Sequence, residues 1–170
     1  MKTNHILLNA AVLGIVALTG SFAAAGDEKV YPGTMCRQEG ISSAVSYDGN
    51  GRVNNPTASV VSVVCPIVRD SVLSKWSSVS VAVADRHADI YPNSDDQVVC
   101  RAWSSQPDGL GWFQSANTVG WYPNWWEAQA LSFGPQVEER DRGTFYLQCF
   151  IPARYQGLDS GVLSYSIDEP

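Results

Sequence analysis

The chain sets 17 acidic against 11 basic side chains in 170 residues, a formal net charge of −6 at pH 7, and 11% of its residues are aromatic. That balance argues against nucleic acid as a partner, because phosphate binding needs clustered Lys and Arg. No internal repeat or low-complexity linker divides the chain, and its length fits one domain on the usual prior of ~100–200 residues.

The N-terminus reads as an export signal. Lys2 and His5 make a short polar start, residues 6–18 are almost wholly apolar, and Ala23-Ala24-Ala25 supplies small residues ahead of Gly26. The apolar run is shorter than the ~20 residues a bilayer-spanning helix needs. Residues 1–25 are therefore expected to be a cleaved signal peptide. Residues 26–170 then form a single domain, secreted or periplasmic, with no membrane insertion. Cys36 lies well past the cut, so no lipid-attachment cysteine follows it. Loss of Lys2 leaves the exported part more acidic still.

Past a polar lead-in at 26–33, residues 41–47 alternate Ile41, Ser43, Val45 and Tyr47 against Ser42, Ala44 and Ser46, which predicts a strand. Asp48-Gly49-Asn50-Gly51 is turn chemistry, and 52–55 returns as the partner strand, closed by Asn55-Pro56. The most strongly patterned run is 60–70, VVSVVCPIVRD, in which Val61, Val63, Cys65 and Ile67 share one face. Pro66 cannot donate to a ladder, which predicts an edge, a bulge or an exit from the sheet there. Val79, Val81 and Val83 define another inward face over 79–84. A polar connection follows at 85–96.

The run 97–103 is the next expected strand and carries Cys100. Pro107-Asp108-Gly109 turns the chain, and 111–116 is a further strand before an aromatic loop at 117–126. A short strand at 128–133 ends at Gly134-Pro135, and 137–143 is a charged connection. The run 144–151 places Phe145, Leu147, Cys149 and Ile151 on one face, and 163–167 closes the chain as a last strand. Helical apolar spacing is rare and short. Roughly eight to ten short strands punctuated by Gly, Pro, Asn and Asp predict an all-β, single-domain, antiparallel two-sheet sandwich, with jelly-roll and immunoglobulin-like connectivity both open.

Cys36, Cys65, Cys100 and Cys149 all lie in the exported part, and an even count in an oxidising compartment predicts two disulfides. The non-interleaved pairing, Cys36 with Cys65 and Cys100 with Cys149, is expected, each bridge stabilising by roughly 3–4 kcal/mol on the chain-entropy model. A four-thiolate zinc site is the rival, but the usual CxxC pairs are absent. The early Cys, VVCPIVRD, VSVAVADRH, the VVC strand, GTFYLQCFIP and GVLSYSIDE together resemble a group of small, uncharacterised exported bacterial β-sandwich proteins. The resemblance covers most of the chain past the signal. It implies export and a disulfide-braced β fold, and carries over no catalytic residue and no ligand.

The sharpest candidate site is the aromatic stretch Trp121, Tyr122, Pro123, Asn124, Trp125 and Trp126, with Trp112 and Phe113 shortly before it. Trp and Tyr combine large contact area with few rotatable bonds, so such a loop can stack on sugar rings or on another protein. Asn124, Glu127 and Gln129 would supply hydrogen bonds. The bland alternative is that the rings fold back as a lid on one end of the sandwich. Asp85, Asp89, Asp95 and Asp96, or Asp48 with Asn50, offer oxygen ligands, yet neither stretch completes a calcium loop.

His87, the one histidine past the signal, has Asp85 and Asp89 near it, but no GxSxG elbow and no HExxH accompanies it. Glu39, Glu127, Glu138 and Glu139 are the carboxylates that would have to meet for glycoside hydrolysis. The expectation is therefore an exported non-catalytic binding or surface-interaction module without cofactor or metal. Its partner would be an extracellular glycan or a surface protein. A small extracellular hydrolase acting on glycans is the alternative.

Overall fold

The computed structural model describes residues 27–40, 44–70, 75–86, 96–106, 110–118, 128–135 and 143–169. Within them the chain builds eleven strands and one 3-10 turn, Gly33–Met35. The strands are β1 Asp27–Pro32, β2 Arg37–Gln38, β3 Ser46–Tyr47, β4 Val53–Asn55, β5 Val61–Ile67 and β6 Ser78–Ala84. They continue as β7 Val99–Ser105, β8 Gly111–Asn117, β9 Gln129–Phe133, β10 Thr144–Ile151 and β11 Ser160–Glu169. No helix among the described residues is long and apolar enough to cross a membrane.

All pairings are antiparallel and fall into two sheets, as the strand pattern predicts. One runs β3-β4-β11-β6-β9, with β1 added along β11, and the other runs β2-β5-β10-β7-β8. Their inner faces are the period-two apolar sets. Val61, Val63, Cys65 and Ile67 of β5 and Phe145, Leu147, Cys149 and Ile151 of β10 meet Val79, Val81 and Val83 of β6 and Val162, Tyr165 and Ile167 of β11 in one buried cluster. Trp76 is 1% exposed in this core; its ring meets Phe145 edge-on at 4.7 Å and its indole N–H donates to the Gly134 carbonyl at 2.9 Å. The Tyr165 hydroxyl donates to the Pro66 carbonyl at 2.7 Å, joining the two sheets, and burial pushes its pKa far above the ordinary phenol range.

Both expected disulfides are present, Cys36–Cys65 and Cys100–Cys149. The second joins residues directly opposite in the β7–β10 ladder. Pro66 also finds its place. β2 pairs with β5 only opposite Val63 and Val64, so at Pro66 the strand has β10 on one side and, among the described residues, no partner strand on the other.

The structure corrects the reading of residues 26–33 as a mere lead-in. Asp27–Pro32 is a full strand pairing residue for residue with Ser164–Glu169, because β4 covers only Ser160–Val162 and leaves the rest of that β11 edge open. Gly33 then turns against β11 so closely that a Cβ there would lie 2.1 Å from the Val162 carbonyl oxygen. The last strand is longer than 163–167 for the same reason: it has ladder partners from Ser160 onward.

Candidate functional site

The solvent side of the β2-β5-β10-β7-β8 sheet carries the even-numbered set of β5 and β10 and the odd-numbered set of β7 and β8. Cross-strand register places Pro66, Tyr146, Trp103 and Phe113 in one row, and Val64, Gln148, Arg101 and Ser115 in the next. Ser62, Phe150, Val99 and Asn117 form a third row. Strands lie ~4.8 Å apart and same-face residues ~7 Å apart along each strand, so the three rows make one contiguous patch.

The first row is aromatic. Trp103 and Phe113 ring centres are 4.5 Å apart, and those of Trp103 and Tyr146 are 5.9 Å apart with planes 11° from parallel. Aromatic pairs at such separations are favourable beyond their buried area, by about 0.5–1.5 kcal/mol each. Gly111 takes part by what it lacks: a Cβ there would sit 3.3 Å from two carbons of the Trp103 ring, which lies across the bare glycine. Phe113 is 41% exposed.

The second row is polar. The Trp103 indole N–H donates to Gln148 Oε1 at 3.3 Å, and Gln148 Nε2 donates to Glu39 Oε2 at 2.8 Å. Ser62 Oγ donates to the same Glu39 oxygen at 2.7 Å. The hydrogen bonds from Ser62 and then Gln148 favour the carboxylate and lower the Glu39 pKa below the ordinary range, against a smaller opposing effect of burial. Arg101 lies across this row with its guanidinium carbon 5.1 Å from the Phe113 ring centre and 4.9 Å from that of Phe150. Burial, and after it the Glu39 charge, raise the Tyr146 pKa, so its hydroxyl stays a donor.

A patch of this kind presents apolar carbon beside amide and guanidinium groups carried by β10, β7 and β8, with the Glu39 carboxylate reaching in from just past the end of β2. Trp112, singled out from the sequence, is half-buried and packs against the core on the opposite side of β8 from Phe113. Trp121, Tyr122, Asn124, Trp125 and Trp126 lie outside the described residues, as do His87, Asp89, Asp95, Glu127, Glu138 and Glu139. Asp85 is buried, and its carboxylate accepts from the Val98 amide at 3.3 Å and from the Thr118 hydroxyl. Asp48 accepts from the amides of Asn50 and Arg52 in its own turn. Among the described residues no group of three or more His, Cys, Asp and Glu is placed to hold a metal ion.

Trp103, Tyr146, Phe150, Arg101 and Gln148 escaped the sequence reading. A signal for them was present: each is a ring or long polar side chain on the face of a strand opposite its cysteine.

No protein-family model and no curated protein matches the sequence. Solved structures do match it. A xylan-binding module, CBM86, from Roseburia intestinalis aligns at a TM-score of 0.49 and 12% identity, over 85% of this chain and 97% of that one. CsCBM6-3 from Clostridium stercorarium, in complex with cellobiose, aligns at 0.43 and 11%, over 87% and 91%. The CBM22-1 and GH10 modules of a Clostridium thermocellum xylanase, complexed with xylohexaose, align at 0.49 and 11%, over 82% of this chain and 27% of that one. None of these likenesses transfers a ligand or a residue to this chain.

Proposed function

We propose that the protein is an exported, non-catalytic glycan-binding module that binds through the outer face of its five-stranded sheet. The observation that carries the reading is the row Tyr146, Trp103 and Phe113 lying against the row Gln148, Arg101 and Ser115. A sugar ring has the same division, apolar C–H surface beside a rim of hydroxyls. Rings supply contact area at low entropic cost, and side-chain amides and charges bond the hydroxyls. The face is also held before any ligand arrives, by the ring stack and by the hydrogen bonds from Trp103 to Gln148 and from Gln148 to Glu39, which lowers the ordering cost of binding. Two disulfides and the N-terminal apolar run support export, with residues 1–25 removed. The aromatic stretch from Trp121 to Trp126 belongs to the same reading as a second contact.

The test is a glycan array and affinity electrophoresis on the exported form, with Phe113→Ala and Tyr146→Ala beside the wild type. Each variant should weaken glycan retention at least tenfold, while Phe113→Ala, at an exposed position, moves the melting temperature little. Retention of no glycan by the wild type, or unchanged retention by both variants, overturns the proposal.

A further inference from the structure

We infer that Arg101 makes this face selective for acidic glycans, those whose sugars carry carboxylates; the inference rests on the glycan-binding reading above and names its ligand class. Arg101 is half-buried in the middle of the sheet, with Gln148 beside it on β10 and Ser115 beside it on β8. Its Nε is enclosed and meets no acceptor, and the side chain forms no hydrogen bond or ion pair among the described residues. A guanidinium carries five N–H donors, and enclosed donors without acceptors are costly and uncommon in folded proteins.

What holds Arg101 is ring contact. Phe113 and Phe150 lie within 5.1 and 4.9 Å of its central carbon, and weak hydration lets a guanidinium accept such surroundings where an ammonium would not. The donor fork is thus fixed in place and not consumed by the protein. Among the described residues, Glu39 is the carboxylate that hydrogen bonding ties to this face, and it is turned to Ser62 and Gln148. Among the described residues, the charged groups that register or hydrogen bonding places on this face are Arg37, Arg101 and Glu39, on a chain whose net charge is −6.

Among sugar substituents, a carboxylate is the planar, charged acceptor that fits the fork with two parallel hydrogen bonds. A hydroxyl offers one neutral oxygen. Selection is local, because the charge of the whole chain repels polyanions and is screened beyond ~10 Å at ordinary salt.

Calorimetric titration of the exported form with polygalacturonate and alginate, each beside its carboxyl-reduced neutral counterpart, tests this directly. The wild type should bind at least one acid polymer tenfold or more tighter than its reduced counterpart. Arg101→Gln should abolish that ratio, Arg101→Lys should keep only part of it, and Phe113→Ala should weaken acid and neutral polymers alike. Thermal melts confirm that each variant is folded, and Arg101→Lys serves where Arg101→Gln does not fold.

Equal binding of acid and reduced polymers by the wild type, with Phe113→Ala weakening both, overturns the carboxylate preference and leaves the glycan reading standing. Tighter binding of dextran sulfate than of either uronate polymer likewise overturns it. A wild type that ignores all four polymers overturns it too. The array then decides the broader reading by itself: neutral glycans retained would save it, and none retained would end it.

Discussion

The two outer faces of the sandwich are built by the same strand physics and end up chemically opposite. On the six-stranded sheet, Ser80 and Ala82 of β6 lie between Ser164 and Ser166 of β11 and Ala130 and Ser132 of β9. With Glu28 and Val30 of β1, several of these small side chains floor a shallow depression of about 150 Å³. On the five-stranded sheet the equivalent positions hold Tyr146, Trp103, Phe113, Arg101 and Gln148. Ser and Ala satisfy a solvated strand and make few specific contacts. Large rings facing water cost solvation on every molecule that goes unbound. Two faces of one fold therefore differ in how much ring and long polar side chain they present, and the proposed glycan site lies on the richer one.

The largest expected effect sharpens this comparison from below. The Cys100–Cys149 bridge lies under the ringed face and joins the strands carrying Trp103 and Tyr146, across a sequence separation of 49. Replacing both cysteines by Ala should cost about 4 kcal/mol on the chain-entropy model, read by urea unfolding. Glycan affinity at a temperature where the variant remains folded should fall as well. A variant that is destabilised yet binds as the wild type would show that the face does not depend on the bridge.

A smaller effect compares the faces themselves. Trp103→Ala removes a half-buried ring and its hydrogen bond to Gln148 and should cost ~2 kcal/mol, between an exposed and a core ring. Ser80→Ala and Ser166→Ala on the opposite face should stay within ~0.5 kcal/mol of wild type and leave binding untouched. Loss of glycan binding in either serine variant would move the site to the six-stranded sheet.

The smallest concerns the polar row. The Glu39 pKa is lowered in the folded protein, so its contribution to stability is present above the ordinary Glu value of ~4.3 and fades as pH falls through the lower, folded value. The carboxylate is close to solvent, so the change in stability should be slight, and carboxyl NMR is the sensitive probe. The titration midpoint should lie below that of an unstructured Glu. Ser62→Ala should raise it, because the largest of the favouring hydrogen bonds is gone. An unmoved midpoint would remove Ser62 from the network.

Much of the core was legible in the chain because its signal is local. The inward sets of β5, β6 and β10 follow from alternation over seven or eight residues, and the non-interleaved pairing of the four cysteines matches the bridges that form. The turn at 48–51 was legible for the same reason, since Asp48 bonds amides of its own segment.

β1 was not legible. The run DEKVYP has no marked alternation, and it becomes a strand because β11, more than 130 residues away, offers it an open edge. Of the rings on the face of the five-stranded sheet, the sequence singled out only Phe113. The sequence drew attention to dense aromatics at 121–126, whereas the described rings on the sheet are spaced residues of β7, β8 and β10.

The sequence by itself thus determined that this is an antiparallel sandwich braced by two disulfides, and which face of its clearest strands turns inward. Both follow from residues close in the chain, or from their count and order. Tertiary structure alone decided that Tyr146, Trp103 and Phe113 stand in one row and that Glu39, Gln148 and Arg101 share the polar strip beside it. Those groups are brought together by the strand order β2-β5-β10-β7-β8, and strand order is set by how the sheets close over the core. No pattern within one strand names the neighbour that packing assigns to it.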